Sequence, residues 1–90
     1  MFLNDITERE INHIKDRILR LCLERGVGKS ICPSEVARSF FTDENEWRAM
    51  MDDVRAAALA LANQNRIIVL HKGKPVNIEI TKGPIRFGLP

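Results

Sequence analysis

The chain has 90 residues, of which 44% are hydrophobic and 29% are charged, with a net charge of +2. This composition fits one globular domain over residues 1–90 and excludes a disordered chain. The longest apolar run, residues 56–62, is too short to span a bilayer, and the first residues lack the pattern of a signal peptide. We therefore expect a cytoplasmic protein that makes no membrane contact, with Cys22 and Cys32 as reduced thiols.

Charge is distributed unevenly along the chain. Residues 1–42 carry a net charge of +1, residues 43–65 carry −3 and residues 66–90 carry +4. Because the overall charge is small, it does not by itself indicate a nucleic-acid partner. The basic C-terminal third is the part to consider for contacts with an anionic partner.

A first helix is predicted to begin at Thr7, which forms a capping box with Glu10, and Ile6 and Ile11 flank this box at the spacing of a hydrophobic staple. Gly26 is predicted to end the helix, because glycine readily adopts the left-handed conformation that follows a helix. The apolar stripe of this helix consists of Ile11, Ile14, Ile18 and Leu21.

Two more helices are predicted after a short extended segment at residues 30–32. Pro33 suits the first position of a second helix of about two turns. Asp43 caps a third helix that continues to Asn65, which can adopt the left-handed conformation. The apolar stripe of the third helix, which we expect to place the tryptophan in the core, consists of Trp47, Met51, Val54, Ala58 and Leu61.

The pattern then changes to that of a β-hairpin. Residues 67–70 are apolar and mostly β-branched, residues 71–75 form a turn, and residues 76–80 alternate between apolar and polar side chains. Ile85 and Phe87 are expected to pack the tail onto the core. The sequence thus predicts an α+β fold, a winged helix-turn-helix with three helices followed by a C-terminal β-hairpin wing.

Three segments carry a more particular resemblance: Ile31-Cys32-Pro33-Ser34-Glu35-Val36-Ala37-Arg38, then Trp47 with Met50-Met51 and Val54-Arg55, then Gly83-Pro84-Ile85-Arg86. In these segments the chain resembles a small bacterial family of winged-helix-like proteins classed as a domain of unknown function. The resemblance implies the winged-helix fold. It implies no activity and no functional residue.

Winged helices often bind double-stranded DNA with the third helix in the major groove and the wing on the backbone. In this chain the start of the third helix is acidic, and its acidic residues are best explained as helix caps. Arg48 and Arg55 are spaced to point the same way, toward phosphate or as a solvated flank paired with Asp52. The candidate nucleic-acid-binding residues are Arg48, Arg55, Lys72, Lys74, Lys82 and Arg86.

An alternative is that the outer face of the third helix binds another protein or a second copy in a homodimer. Small side chains on that face would let another helix approach closely. The simpler alternative is that the C-terminal tail of the same chain covers this face. The residues of this candidate interaction face are Ala49, Ala56, Leu59 and Ala60.

Catalysis is not expected, because the chain has no tyrosine, no glycine-rich phosphate loop and no nucleophile motif. No cofactor and no metal site are predicted either. The potential zinc ligands match no known ligand spacing; they are Cys22, Cys32, His13 and His71. Cys32 precedes a helix N-terminus, which can activate a thiol, but a small residue closing the turn explains it better.

Overall fold

The computed structural model describes residues 2–90, and from residue 9 onward it also describes the side chains. Its elements are α1 (Phe2–Arg25), β1 (Ser30–Ile31), α2 (Pro33–Arg38), α3 (Glu44–Ala49), α4 (Met51–Asn63), β2 (Ile68–His71), β3 (Lys74–Pro75) and β4 (Arg86–Gly88). The predicted α+β class is confirmed. The helices followed by an antiparallel sheet are compatible with a winged-helix-like fold.

The last strand lies inside the sheet, whose strand order is β1-β4-β2-β3. Phe87 of β4 pairs with Ile31 on one side and with Val69 on the other. All three side chains are buried, and Phe87 and Ile31 have no exposed surface. The prediction that Ile85 and Phe87 pack the tail onto the core is therefore confirmed, since their side chains are 4% and 0% exposed.

The helical part of the core lies where α1 packs against α4. Side chains from α1 that are spaced four residues apart are buried, as expected for one helix face. Ala57 and Ala58 of α4 are fully buried and small enough to let a neighbouring helix approach closely. The buried residues of these two helices are Ile14, Ile18, Cys22, Val54, Ala57, Ala58 and Leu61.

The predicted start of α1 at Thr7 is wrong, because the helix begins at Phe2. Residues 2–6 contain no helix breaker, and threonine is tolerated inside a helix. The side chains of Ile6 and Thr7, on which the predicted cap and staple depend, lie outside the described part. The predicted end is confirmed, since α1 ends at Arg25 and Gly26 has a φ of +107°. Across residues 2–90, no helix is long and apolar enough to cross a membrane.

The predicted single third helix is wrong, because Met50 separates α3 from α4, which gives four helices within residues 2–90. Asp43 caps α3 as predicted, with its Oδ2 accepting from the Glu46 amide at 3.1 Å. Asp52 and Asp53 occupy the first turn of α4, where the helix dipole favours negative charge. Asn65 ends the helical region with a φ of +60°, as predicted.

Trp47 lies at the margin of the core, where it is only half-buried. The guanidinium carbons of Arg38 and Arg48 lie 5.4 and 5.0 Å from the centre of its ring. The prediction of Trp47 as a core residue therefore holds only in part.

The wing differs from the predicted hairpin. The turn is only Lys72-Gly73, with positive φ at both residues as in the tight hairpins that match strand twist. The predicted strand at residues 76–80 is wrong, because Asn77 folds this segment into a turn. Its Oδ1 accepts from the Glu79 amide at 2.9 Å, and its carbonyl oxygen accepts from the Thr81 amide at 3.1 Å.

Candidate nucleic-acid interface

Two grooves meet on the segment that leads into β4. The first, of about 390 Å³, lies between the start of α2, the first turns of α4 and residues 83–86. The second, of about 300 Å³, lies between Ser30, residues 70–73 of the hairpin and the same segment. Because Pro84 and Arg86 line both, the two grooves are adjacent, and together we call them the wing groove.

Arg86 is fixed in the middle of the wing groove by three hydrogen bonds. Its Nε donates to Ser30 Oγ at 2.6 Å, its Nη2 to the Ser30 carbonyl oxygen at 2.8 Å and its Nη1 to Cys32 Sγ at 2.9 Å. No described carboxylate forms an ion pair with Arg86. The guanidinium of Arg86 is therefore held in a fixed orientation without a carboxylate partner among the described residues.

Arg55 lines the wing groove from α4. It is half-buried, and its Nη2 donates to the carbonyl oxygen of Ile78 at 3.5 Å, a contact at the long limit of a hydrogen bond. Like Arg86, it forms no ion pair with a carboxylate in the described part of the chain. Arg55 and Arg86 thus line the wing groove without an ion pair to a described carboxylate, while Arg55 also lines a smaller groove that contains Glu79.

Lys72 adds a third cation at the hairpin tip, where it is exposed and lines the second groove. His71 beside it is held in place by its Nδ1, which lies 2.6 Å from the carbonyl oxygen of Pro84. Because a carbonyl only accepts, this contact requires the proton on Nδ1. Lys74 and Lys82 are exposed but line neither groove.

Arg48 is separated from this surface. Its Nε donates to Glu44 Oε2 at 2.7 Å, and it lies over Trp47. The break at Met50 puts it on a different helix from Arg55, so the helix on which the predicted common direction of the two arginines depends does not run unbroken between them. Of the six predicted nucleic-acid-binding residues, the wing groove brings together Arg55, Lys72 and Arg86.

Carboxylates do not line the wing groove in the part of the chain that the structure describes. The acidic first turn of α3 lies outside it, and Glu46 of that turn lines another groove. The negative charge that counted against the third helix as a DNA-reading element is thus not part of this surface.

Glu35 stabilises the start of α2, which forms one wall of the wing groove. Its Oε1 accepts from the Cys32 amide at 3.2 Å, and its Oε2 pairs with Arg25. Partial burial raises the pKa of Glu35, but the Cys32 amide and the Arg25 guanidinium outweigh it, so the pKa lies below its usual value. The residue is therefore ionised at neutral pH.

The candidate interaction face is divided by the same helix break. Ala49 lies on α3 and lines one groove, whereas Ala56 and Leu59 lie on α4 and line another beside Ile78. Ala60 is half-buried. The turn at residues 78–79 thus borders part of this face.

The four residues considered as potential zinc ligands lie in different parts of the structure. Cys22 is buried in the core, and this burial raises the pKa of its thiol to about 11 against a smaller opposing effect of Arg25. His13 lines a groove beside α1, while Cys32 and His71 lie in different parts of the wing groove. No cluster of three such side chains that could hold a metal ion occurs among the residues described.

Several wing-groove residues could not be identified individually from the sequence. Ser30, Ser34 and Met51 line it without belonging to any motif of known chemistry. The sequence points to these groove residues only indirectly, because all three segments that carry the family resemblance contribute residues to the groove. These are residues 32–34, Met51 with Arg55, and residues 83–86.

Comparison with protein families also identifies a domain of unknown function. The profile of a family described as "Protein of unknown function (DUF3253)" matches residues 11–90. A comparison with proteins of curated function found no match. The match includes every wing-groove residue, and the chain therefore belongs to the DUF3253 family of proteins of unknown function.

Proposed function

We propose that the wing groove binds the phosphate backbone of double-stranded DNA. The observation that carries the proposal is that Arg55, Lys72 and Arg86 line two adjacent grooves that share Pro84 and Arg86, without a carboxylate among the described lining residues. Guanidinium and ammonium groups are the usual donors to phosphate oxygens. Arg86 is favoured as a phosphate ligand because its guanidinium is already oriented, so less conformational entropy is lost on binding.

The number of cations limits the expected affinity. Each phosphate that is neutralised contributes roughly −0.9 to the slope of log K against log salt concentration. Three contacts therefore predict a slope of about −2.7, or about 40-fold weaker binding when salt rises from 50 to 200 mM. Lys74 and Lys82, exposed on the same C-terminal third, would steepen the slope if a long duplex reached them.

The test is fluorescence anisotropy with a labelled duplex over a range of salt concentrations. The double variant Arg55→Ala, Lys72→Ala should bind more weakly and reduce the slope by about 2 units. Arg48→Ala is the matched control, because it removes one arginine outside the wing groove and should leave the slope unchanged. Absence of wild-type binding at low salt, or the same slope in the double variant, would contradict the proposal.

A further inference from the structure

A separate groove of about 500 Å³ lies on the opposite side of the start of α4 from the wing groove, and we call it the acidic groove. Its floor and walls are mainly apolar, with side chains from α1, from the segment after α2 and from the junction of α3 and α4. The apolar residues that line it include Ile14, Phe40, Phe41 and Met50. A concave, mostly apolar site of this size is typical of small-molecule binding.

Three carboxylates from three different helices line this groove: Glu10 of α1, Glu46 of α3 and Asp53 of α4. Within the described side chains none of them forms an ion pair, and the other ionisable residue of the lining is His13. With three carboxylates and one imidazole, the groove combines apolar walls with an excess of acidic side chains, which attracts cations and repels anions.

Of the two aromatic rings in the groove, Phe41 is the one that offers exposed surface to a bound cation. Phe40 already contacts the guanidinium of Arg17, which lies 4.2 Å from its ring centre and also donates to Ser39 Oγ at 2.7 Å. Phe41 is 40% exposed although it is fully apolar. A bound molecule that covered this ring would remove apolar surface from water, and its positive charge could interact with the ring face.

We propose that the acidic groove binds a small organic cation with an aromatic or aliphatic body. The apolar body would lie against Phe40, Phe41 and Met50, and the positive charge would lie among Glu10, Glu46 and Asp53. This proposal does not depend on DNA binding, because the acidic groove and the wing groove share no lining residue.

The test uses two probes of nearly equal shape and opposite charge, the tetraphenylphosphonium cation and the tetraphenylborate anion. Titration calorimetry of the wild type should give saturable binding of the cation and much weaker binding of the anion. In Glu46→Gln, Asp53→Asn the affinity for the cation should fall about three- to tenfold, since each exposed charge contributes modestly.

Asp52→Asn is the matched control, because Asp52 is the exposed neighbour of Asp53 and does not line the groove. It should bind the cation as the wild type does. Ala49→Leu, which adds bulk at an exposed lining position, should weaken binding without removing charge. Equal affinity for the two probes, no binding of the cation, or unchanged affinity in the double variant would overturn the proposal.

Discussion

Arg86 and Cys32, which lie 54 positions apart, are joined by a 2.9 Å hydrogen bond from Nη1 to Sγ. The bond connects the strand in the middle of the sheet to the residue that precedes α2. Together with the two bonds from Arg86 to Ser30, it fixes the distance between two walls of the wing groove. The geometry of the candidate interface therefore depends on contacts that also stabilise the fold.

Replacing Arg86 with lysine tests whether its hydrogen-bonding geometry, and not only its positive charge, stabilises the fold. Lysine keeps the positive charge but lacks the planar fork that reaches Ser30 and Cys32 together. We expect Arg86→Lys to lower the free energy of unfolding by about 1–2 kcal/mol, measured by urea denaturation. Lys74→Ala, at an exposed position, is the control and should change it by less than about 0.5 kcal/mol. Equal midpoints for Arg86→Lys and the wild type would show that these bonds do not contribute.

Phe87 should contribute more to stability than Trp47, although tryptophan is the larger side chain. Phe87 is fully buried between two strands, whereas Trp47 is half-buried at the margin of the core. Phe87→Ala should therefore cost about 3–5 kcal/mol, enough to unfold a marginally stable domain, and Trp47→Ala should cost clearly less. Thermal unfolding followed by circular dichroism measures both, and a larger loss in Trp47→Ala would contradict this description of the core.

Low pH should destabilise the start of α2, because it protonates Glu35. Because the pKa of Glu35 is lower in the folded chain, its contribution to stability is present above its ordinary pKa of 4.5 and is lost as pH falls through the folded value. Glu35→Gln should thus be less stable than the wild type at pH 7, with the difference shrinking below about pH 4. Urea denaturation at a series of pH values tests this, and a difference independent of pH would count against it.

The two cysteines should react at different rates with a thiol reagent. Burial raises the pKa of Cys22 to about 11 and shields its sulfur, whereas Cys32 is only half-buried. At pH 8 the folded chain should label quickly at Cys32 and slowly at Cys22, and denaturant should abolish the difference. Mass spectrometry of the labelled chain, with Cys32→Ser as the control, measures the order. Faster labelling of Cys22 would contradict its place in the core.

Much of the fold follows from local patterns. Asp43 and Gly26 mark helix ends through backbone requirements that hold in almost any surroundings, and the apolar period of α1 identifies its buried face. The break at Met50 was missed because the apolar spacing from Trp47 to Met51 continues across it. The paired Asp52 and Asp53, which suit a helix start, were the available signal.

The wing was harder to predict for a different reason. Val76, Ile78 and Ile80 alternate with polar residues as in a strand, but Ile80 is 79% exposed. The side chain of Asn77 bonds locally instead, and local bonding of this kind competes with strand pairing. On the hairpin side of β2 the Val76 amide still donates to the Val69 carbonyl oxygen at 2.9 Å, before the turn at Asn77 ends the pairing. The other edge of β2 pairs with β4, and a pairing between distant segments cannot be deduced from the pattern of either one.

The candidate site could be predicted only as a set of charges. The sequence identifies Arg55, Lys72 and Arg86 only as basic residues. It identifies Arg48 in the same way, and nothing in the spacing distinguishes Arg48 from the other three. Their grouping depends on β4 entering the sheet beside β1, which brings residues 83–86 next to the start of α2. Arg48 is excluded by its pairing with Glu44, and this pairing depends on where α3 begins.

The most direct test of the central proposal is an NMR titration of the ¹⁵N-labelled chain with a short DNA duplex at low salt. We expect the largest amide shift changes along the wing groove, at residues 32, 34, 51, 55, 70–73, 83, 85 and 86, and we expect them to reverse when salt is added. Changes at Glu10, Glu46 and Asp53 should be small. No shift changes, or changes concentrated in the acidic groove, would contradict the assignment of the wing groove as a DNA-binding surface.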